Sequence, residues 1–139
     1  MSNQKARVFV RRDLRELRQA DKNLDQLIKD FVSYINGEDI YYFGKDVPYH
    51  EPRPRAEDAG LRHIHILDKV KAVKIRRRSS DSVLVYTEGA TTPNTYYFID
   101  FLPSGAHERA SSRVREPELG NLTYMEWLIK EAENFRNNF

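Results

Sequence analysis

Three histidines and a set of arginines carry the chemistry available to this sequence. His63 and His65 stand two apart in residues 63–68 (HIHILD), a run of strand character. Their side chains therefore share one face, and Ile64 and Ile66 take the other. Same-face neighbours on a strand lie roughly 6.5–7 Å apart, a spacing that can bracket a phosphodiester. His107 follows the last strand-like run, in residues 103–109 (PSGAHER), with Arg109 two residues on. An imidazole with an unperturbed pKa of about 6.5 can take or give a proton near neutrality. A guanidinium stays charged, and its fork fits phosphate oxygens. Together these groups supply what metal-free cleavage of RNA needs: a base for the 2′-OH, a cation for the phosphorane and an acid for the leaving 5′ oxygen. His107 is the first candidate, against a plain surface-loop histidine, and the His63/His65 pair the second, against histidines that only support the fold.

Other residues add to this set, each with a plainer alternative. Tyr86 orients a base by stacking or donates a proton, or is a core tyrosine. Arg76, Arg77 and Arg78 close a cationic stretch that suits rRNA or mRNA phosphates without reading sequence, or form a solvated hairpin tip. Arg62 enters the histidine run, and Arg113 follows His107. Both are further candidates for phosphate contact. Lys45 and Asp46 order a long loop or touch substrate. A His-x-His pair can also bind zinc, with His107 or Asp100 as the third ligand.

The distribution of charge supports an anion surface more than its sum does. The net charge is only +2, but residues 1–20 hold six cations against Asp13 and Glu16, and residues 62–78 hold seven against Asp68. The basic segments form an anion surface if they share a face; otherwise they are solvated charge. The absence of cysteine excludes disulfides, thiolate catalysis and cysteine-based zinc sites. No apolar run approaches the roughly 20 residues of a membrane helix. The opening MSNQKAR has no apolar core of a secretory leader, so a cytoplasmic address is expected.

The elements that position these groups follow from periodicity. Residues 6–10 read as a first strand. A helix begins at Asp13, where Asp13-x-x-Glu16 has capping-box spacing. Leu24, Leu27, Ile28, Phe31 and Ile35 define a second helix over residues 21–36, stopped by Gly37. Residues 38–61, with three prolines and little periodicity, are expected to be an irregular loop. Three strands follow at 63–68, 82–88 and 96–102, the last two joined by turn residues 91–94. In the middle strand Leu84 and Tyr86 share one face and Val83 and Val85 the other. In the last, Tyr97, Ile99 and Phe101 oppose Tyr96, Phe98, Asp100 and Leu102. Residues 103–115 read as a loop. Thr123-x-x-Glu126 opens a C-terminal helix. The expected fold is α+β: one domain over 1–139, with a four-stranded antiparallel or mixed sheet and helices on one face.

Several fragments, in order and at similar spacing, resemble the YafO family of RelE-like toxins. They are Val8-Phe9, Asp30-Phe31-x-Ser33-Tyr34, Phe43-Gly44-Lys45-Asp46, His63-Ile64-His65, Leu84-Val85-Tyr86-x-x-Gly89-Ala90, Leu102 with a proline-bearing turn before His107, and Glu133-x-Phe135-Arg136. Lys45 stands where the family carries Arg, and residues 51–61 do not match. The net charge is below that usual for RelE-like proteins. The resemblance implies a RelE-like fold and the toxin half of a type II toxin–antitoxin module. It implies ribosome-dependent cleavage of mRNA, without a metal cofactor, and neutralisation by a cognate antitoxin. The competing expectation is a non-catalytic RNA- or protein-binding module of the same shape.

Overall fold

The computed structural model describes residues 5–69 and 79–139. Alternating β-branched and aromatic residues form a five-stranded sheet: β1 (Arg7–Val10), β2 (Phe43–Pro48), β3 (Arg62–Ile66), β4 (Val83–Glu88) and β5 (Thr95–Leu102). Its order is β1-β5-β4-β3-β2, with β1 parallel to β5 and every other pair antiparallel. The mixed α+β class is as expected, but the sheet has five strands where four were expected. The additional strand is β2, inside the segment read as irregular. Its sequence FGKDVP lacks alternation because a bulge between Phe43 and Asp46 interrupts its pairing with β3. The short helix α3 (Arg55–Asp58) also falls in that segment.

Helices cover both faces of the sheet, which corrects the one-face expectation. Helices α1 (Arg12–Leu17) and α2 (Lys22–Ile35) bury Leu14, Leu24, Leu27, Ile28 and Phe31 against Ile64, Leu84, Tyr86 and Phe98. On the other face, α4 (Ala106–Ser111) and α5 (Tyr124–Arg136) bury Ala106, Tyr124, Met125, Leu128, Ile129 and Ala132 against Val83, Val85, Ile99 and Leu102. Strand β4 lies between the two cores. Its apolar residues on both faces, Val83/Val85 and Leu84/Tyr86, divide as the alternation predicted. Among the described residues, no helix is long and apolar enough to cross a membrane.

Two capping expectations separate here. Thr123 caps α5 as predicted: its Oγ1 accepts from Glu126 N at 3.2 Å, and Glu126 accepts from Thr123 N at 3.0 Å. The Asp13/Glu16 box does not form. Helix α1 starts after Arg11 without a side-chain cap, and Asp13 inside the first turn instead accepts from Arg11 Nη1 at 3.1 Å. The α2 helix is capped by Asp21, which accepts from Leu24 N at 3.0 Å. It ends before Gly37, whose φ of 101° suits glycine.

A bulge in β5 resets its alternation. Val85 pairs with Asp100 but Tyr86 pairs with Phe98, so Ile99 is the extra residue. Ile99, Asp100 and Leu102 therefore all serve the α5 side with Tyr97, while Phe98 and Phe101 pack on the α1–α2 side with Tyr96. A strict two-residue period places Asp100 and Leu102 with Phe98, and Phe101 with Tyr97.

Candidate functional site

His63 and His65 are brought together as expected. Strand β3 pairs His63 with Val85 and His65 with Val83, so both imidazoles project to the α5 side while Ile64 is buried on the other. Their ring centroids are 5.2 Å apart. Tyr49, just beyond β2, stacks on His63 at 4.1 Å with an interplanar angle of 24°. Strand β2 adds a cation to this edge. Phe43 pairs with Ile66 and Asp46 with Ile64, so the bulge sets Gly44 and exposed Lys45 together across from His65.

The two imidazoles have different surroundings. Burial, aided by the nearness of His65, lowers the His63 pKa to about 4, so this ring is neutral at pH 7. Its Nδ1 is buried without a hydrogen-bond partner among the described residues. His65 Nδ1 lies 3.0 Å from Ser80 N and 2.7 Å from Ser80 O. The amide can donate to a neutral His65 Nδ1, and the carbonyl can accept from a protonated one. The Ser80 backbone thus serves either protonation state. Ser80 is itself fixed through its hydroxyl, which donates to Ile66 O and Ser82 O at 2.7 and 2.8 Å.

His107 does not join the pair. It lies in α4, where the sequence suggested a loop, and its ring is exposed without a contact to His63 or His65 among the described residues. Helix α4 arises because Asp81 caps it from a distance, accepting from Gly105 N at 2.9 Å and His107 N at 2.8 Å. Arg109 serves a bracket between α4 and α5. Its Nε donates to Glu116 at 3.2 Å, and its guanidinium lies 4.5 Å over the Tyr124 ring. Tyr124 in turn donates to Asp100 at 2.8 Å, and burial and that carboxylate push its phenol up. Arg113 is exposed. Arg76, Arg77 and Arg78 lie outside the described residues. No three metal-binding side chains gather among the described residues, so neither His107 nor Asp100 completes a zinc set with the pair.

Tyr86 and Arg62 belong to the opposite face. Asp46 accepts from Tyr34 Oη at 2.7 Å, Tyr86 Oη at 2.7 Å and Arg62 Nε at 3.1 Å. Burial, then the Asp46 carboxylate, raises the Tyr86 phenol well above its ordinary range, which suits a hydrogen-bond donor and not a base. This cluster lines one side of a cavity of about 670 Å³. Tyr49 and Ser80 were not singled out by sequence reasoning. Their contribution depends on strand pairing and turn geometry, which leave no residue-type signal.

A family model described as toxin YafO, type II toxin–antitoxin system, matches residues 32–137. The match begins inside α2 and runs through α5, so it takes in the histidine pair, Tyr49, Asp46 and Ser80. No curated protein and no solved structure matches the chain. With most of its length matched, the chain belongs to the YafO family of toxins from type II toxin–antitoxin systems.

Proposed function

We propose that this toxin is an endoribonuclease that cleaves mRNA on the ribosome, with His63 and His65 exchanging the protons. The observation carrying this reading is the imidazole pair on one strand face, 5.2 Å apart, with one ring held neutral. His63 starts neutral and takes the 2′-OH proton as the 2′ oxygen attacks phosphorus. His65, supported by the Ser80 carbonyl when charged, gives a proton to the 5′ oxygen as the P–O5′ bond breaks. The products are a 2′,3′-cyclic phosphate and a 5′-hydroxyl. A neutral His63 also spares a charged His65 like-charge repulsion. Each such proton transfer is worth about 10²–10⁴-fold in rate. Lys45 is an exposed cation across from His65 in the β2–β3 register and supplies charge to the phosphorane. Arg76, Arg77, Arg78 and Arg113 hold rRNA or mRNA phosphates. No metal takes part.

Family membership supports a toxin that a cognate antitoxin restrains. The order strand, two helices, then an antiparallel sheet supports a RelE-like fold, and translating ribosomes as its target place the toxin's work in the cytoplasm. The stacking of Tyr49 on His63 favours a second reading, in which the pair is structural and the protein only occupies RNA or a protein partner. Substituting His65 by alanine and His63 by phenylalanine separates the two. Loss of growth arrest and of primer-extension stops, with melting temperature kept, supports cleavage. Retained toxicity supports occupancy.

A further inference from the structure

The cavity on the α2 side lies away from the histidine pair and has its own chemistry. It is bounded by Tyr34, Tyr86 and Tyr96, by Arg62 at the start of β3 and by Arg136 at the end of α5. Most of its acceptors are already used. Asp46 receives three donors, and Glu88 accepts from Asn94 N at 3.3 Å. Glu57 faces His50 at 3.5 Å. The donors are not balanced in the same way. Arg62 is paired with Asp46, but Arg136 enters no ion pair among the described residues. Its Nη1 donates to Asp58 O at 2.6 Å, and its Nε is buried with no acceptor. The guanidinium is seated by Gly60, where an added Cβ would meet Nη1 at 2.9 Å and φ is +66°. A partly buried cation with an unmet donor, lining an open cavity, calls for an anion, because a buried donor without an acceptor is unfavourable.

The walls indicate what carries that anion. Of the three tyrosines, Tyr86 is buried and Tyr34 and Tyr96 are half-buried, so Tyr34 and Tyr96 are the rings with apolar surface to offer a planar heteroaromatic ring. The volume of about 670 Å³ exceeds what a bare oxyanion fills and falls within the usual range for small-molecule sites. We propose that this cavity binds a nucleoside monophosphate, with the phosphate at Arg136 and the base against the tyrosine walls. The ligand is a free nucleotide or the phosphorylated end of an RNA chain, since both present the same group. The assignment stands whether or not His63 and His65 cleave RNA.

Isothermal titration of the intact chain with the four nucleoside 5′-monophosphates, a 5′-phosphorylated trinucleotide and inorganic phosphate tests this. At least one monophosphate should bind, with a dissociation constant below 1 mM (on the order of 4 kcal/mol or more). Arg136→Gln should weaken it at least tenfold. Tyr96→Leu, which leaves Arg136 in place, should weaken the nucleotide but not inorganic phosphate. Both variants are to be compared at matched melting temperature margins. Tighter binding of the trinucleotide supports the chain-end source, and equal or weaker binding supports the free nucleotide. Thr123→Ser, which lies outside the cavity lining, should bind as wild type does. The proposal is overturned if no monophosphate or trinucleotide binds, if inorganic phosphate binds as tightly as any nucleotide, or if Arg136→Gln binds unchanged.

Discussion

The neutral state of His63 predicts a specific loss of stability on mild acidification. The ordinary imidazole pKa is 6.5, and in the fold burial brings it to about 4. Between these values the unfolded chain binds the proton more readily, so stability falls as pH drops. The His63 contribution is fully present above about pH 6.5 and is lost as pH falls toward about 4. Going from pH 7.5 to pH 5 should cost about 2 kcal/mol at full effect, and nearer ~1 kcal/mol with the solvent-facing part of the ring screened. Urea unfolding at a series of pH values measures this. His63→Phe keeps a ring against Tyr49 and removes the titration, so its stability should change less over this window by that same amount. Proton NMR should show the His63 ring titrating well below the ordinary imidazole value of 6.5. If wild type and His63→Phe lose the same stability between pH 7.5 and 5, or if His63 titrates near 6.5, the ring is not held neutral by burial and its role as the starting base fails.

Other consequences can be checked separately. Asp46→Ala strands two tyrosine hydroxyls and the Arg62 guanidinium, and should lower unfolding free energy by about 3 kcal/mol in urea. Less than about 1 kcal/mol would mean that water replaces the carboxylate. Thr123→Ala removes the α5 cap and should cost about 1 kcal/mol by the same assay, with Thr123→Ser close to neutral. His107→Ala should keep RNA cleavage within about threefold of wild type, because its ring stands apart from the pair. A loss comparable to the 10²-fold or more expected of a proton-transfer residue would return His107 to the centre of the chemistry.

How much of this was legible in the sequence depends on the element. Strand β4 and helix α2 were plain, because their apolar residues follow regular two-residue and helical spacings. The His63/His65 pair was legible for the same reason: alternation on β3 fixes a shared face. The later part of β5 was not, because inserting Ile99 turns Asp100 and Leu102 toward α5 and Phe101 away from it. Strand β2 was hidden because Gly44, Lys45 and Asp46 sit at a bulge and carry no strand pattern. Helix α4 was hidden because its cap is Asp81, more than twenty residues upstream of the helix it holds. His107 and Arg109 therefore read as loop residues, whereas the distant Asp81 cap and the Glu116 pair fix them in a helix. All three failures have one origin: pairing and capping between residues distant in the chain override the local period on which sequence reading rests.

Cleavage itself is the central claim, and mRNA in a translating extract reports it directly. Primer extension on mRNA incubated with purified wild-type toxin, with and without ribosomes and with toxin first treated with chelator and dialysed, should show new 5′ ends only when ribosomes are present and undiminished by that prior treatment of the toxin. His65→Ala and His63→Phe should each reduce those ends at least about 10²-fold while remaining folded. New ends made at wild-type rate by the folded double variant, or no new ends from the wild type under conditions where it still arrests translation, would contradict the account.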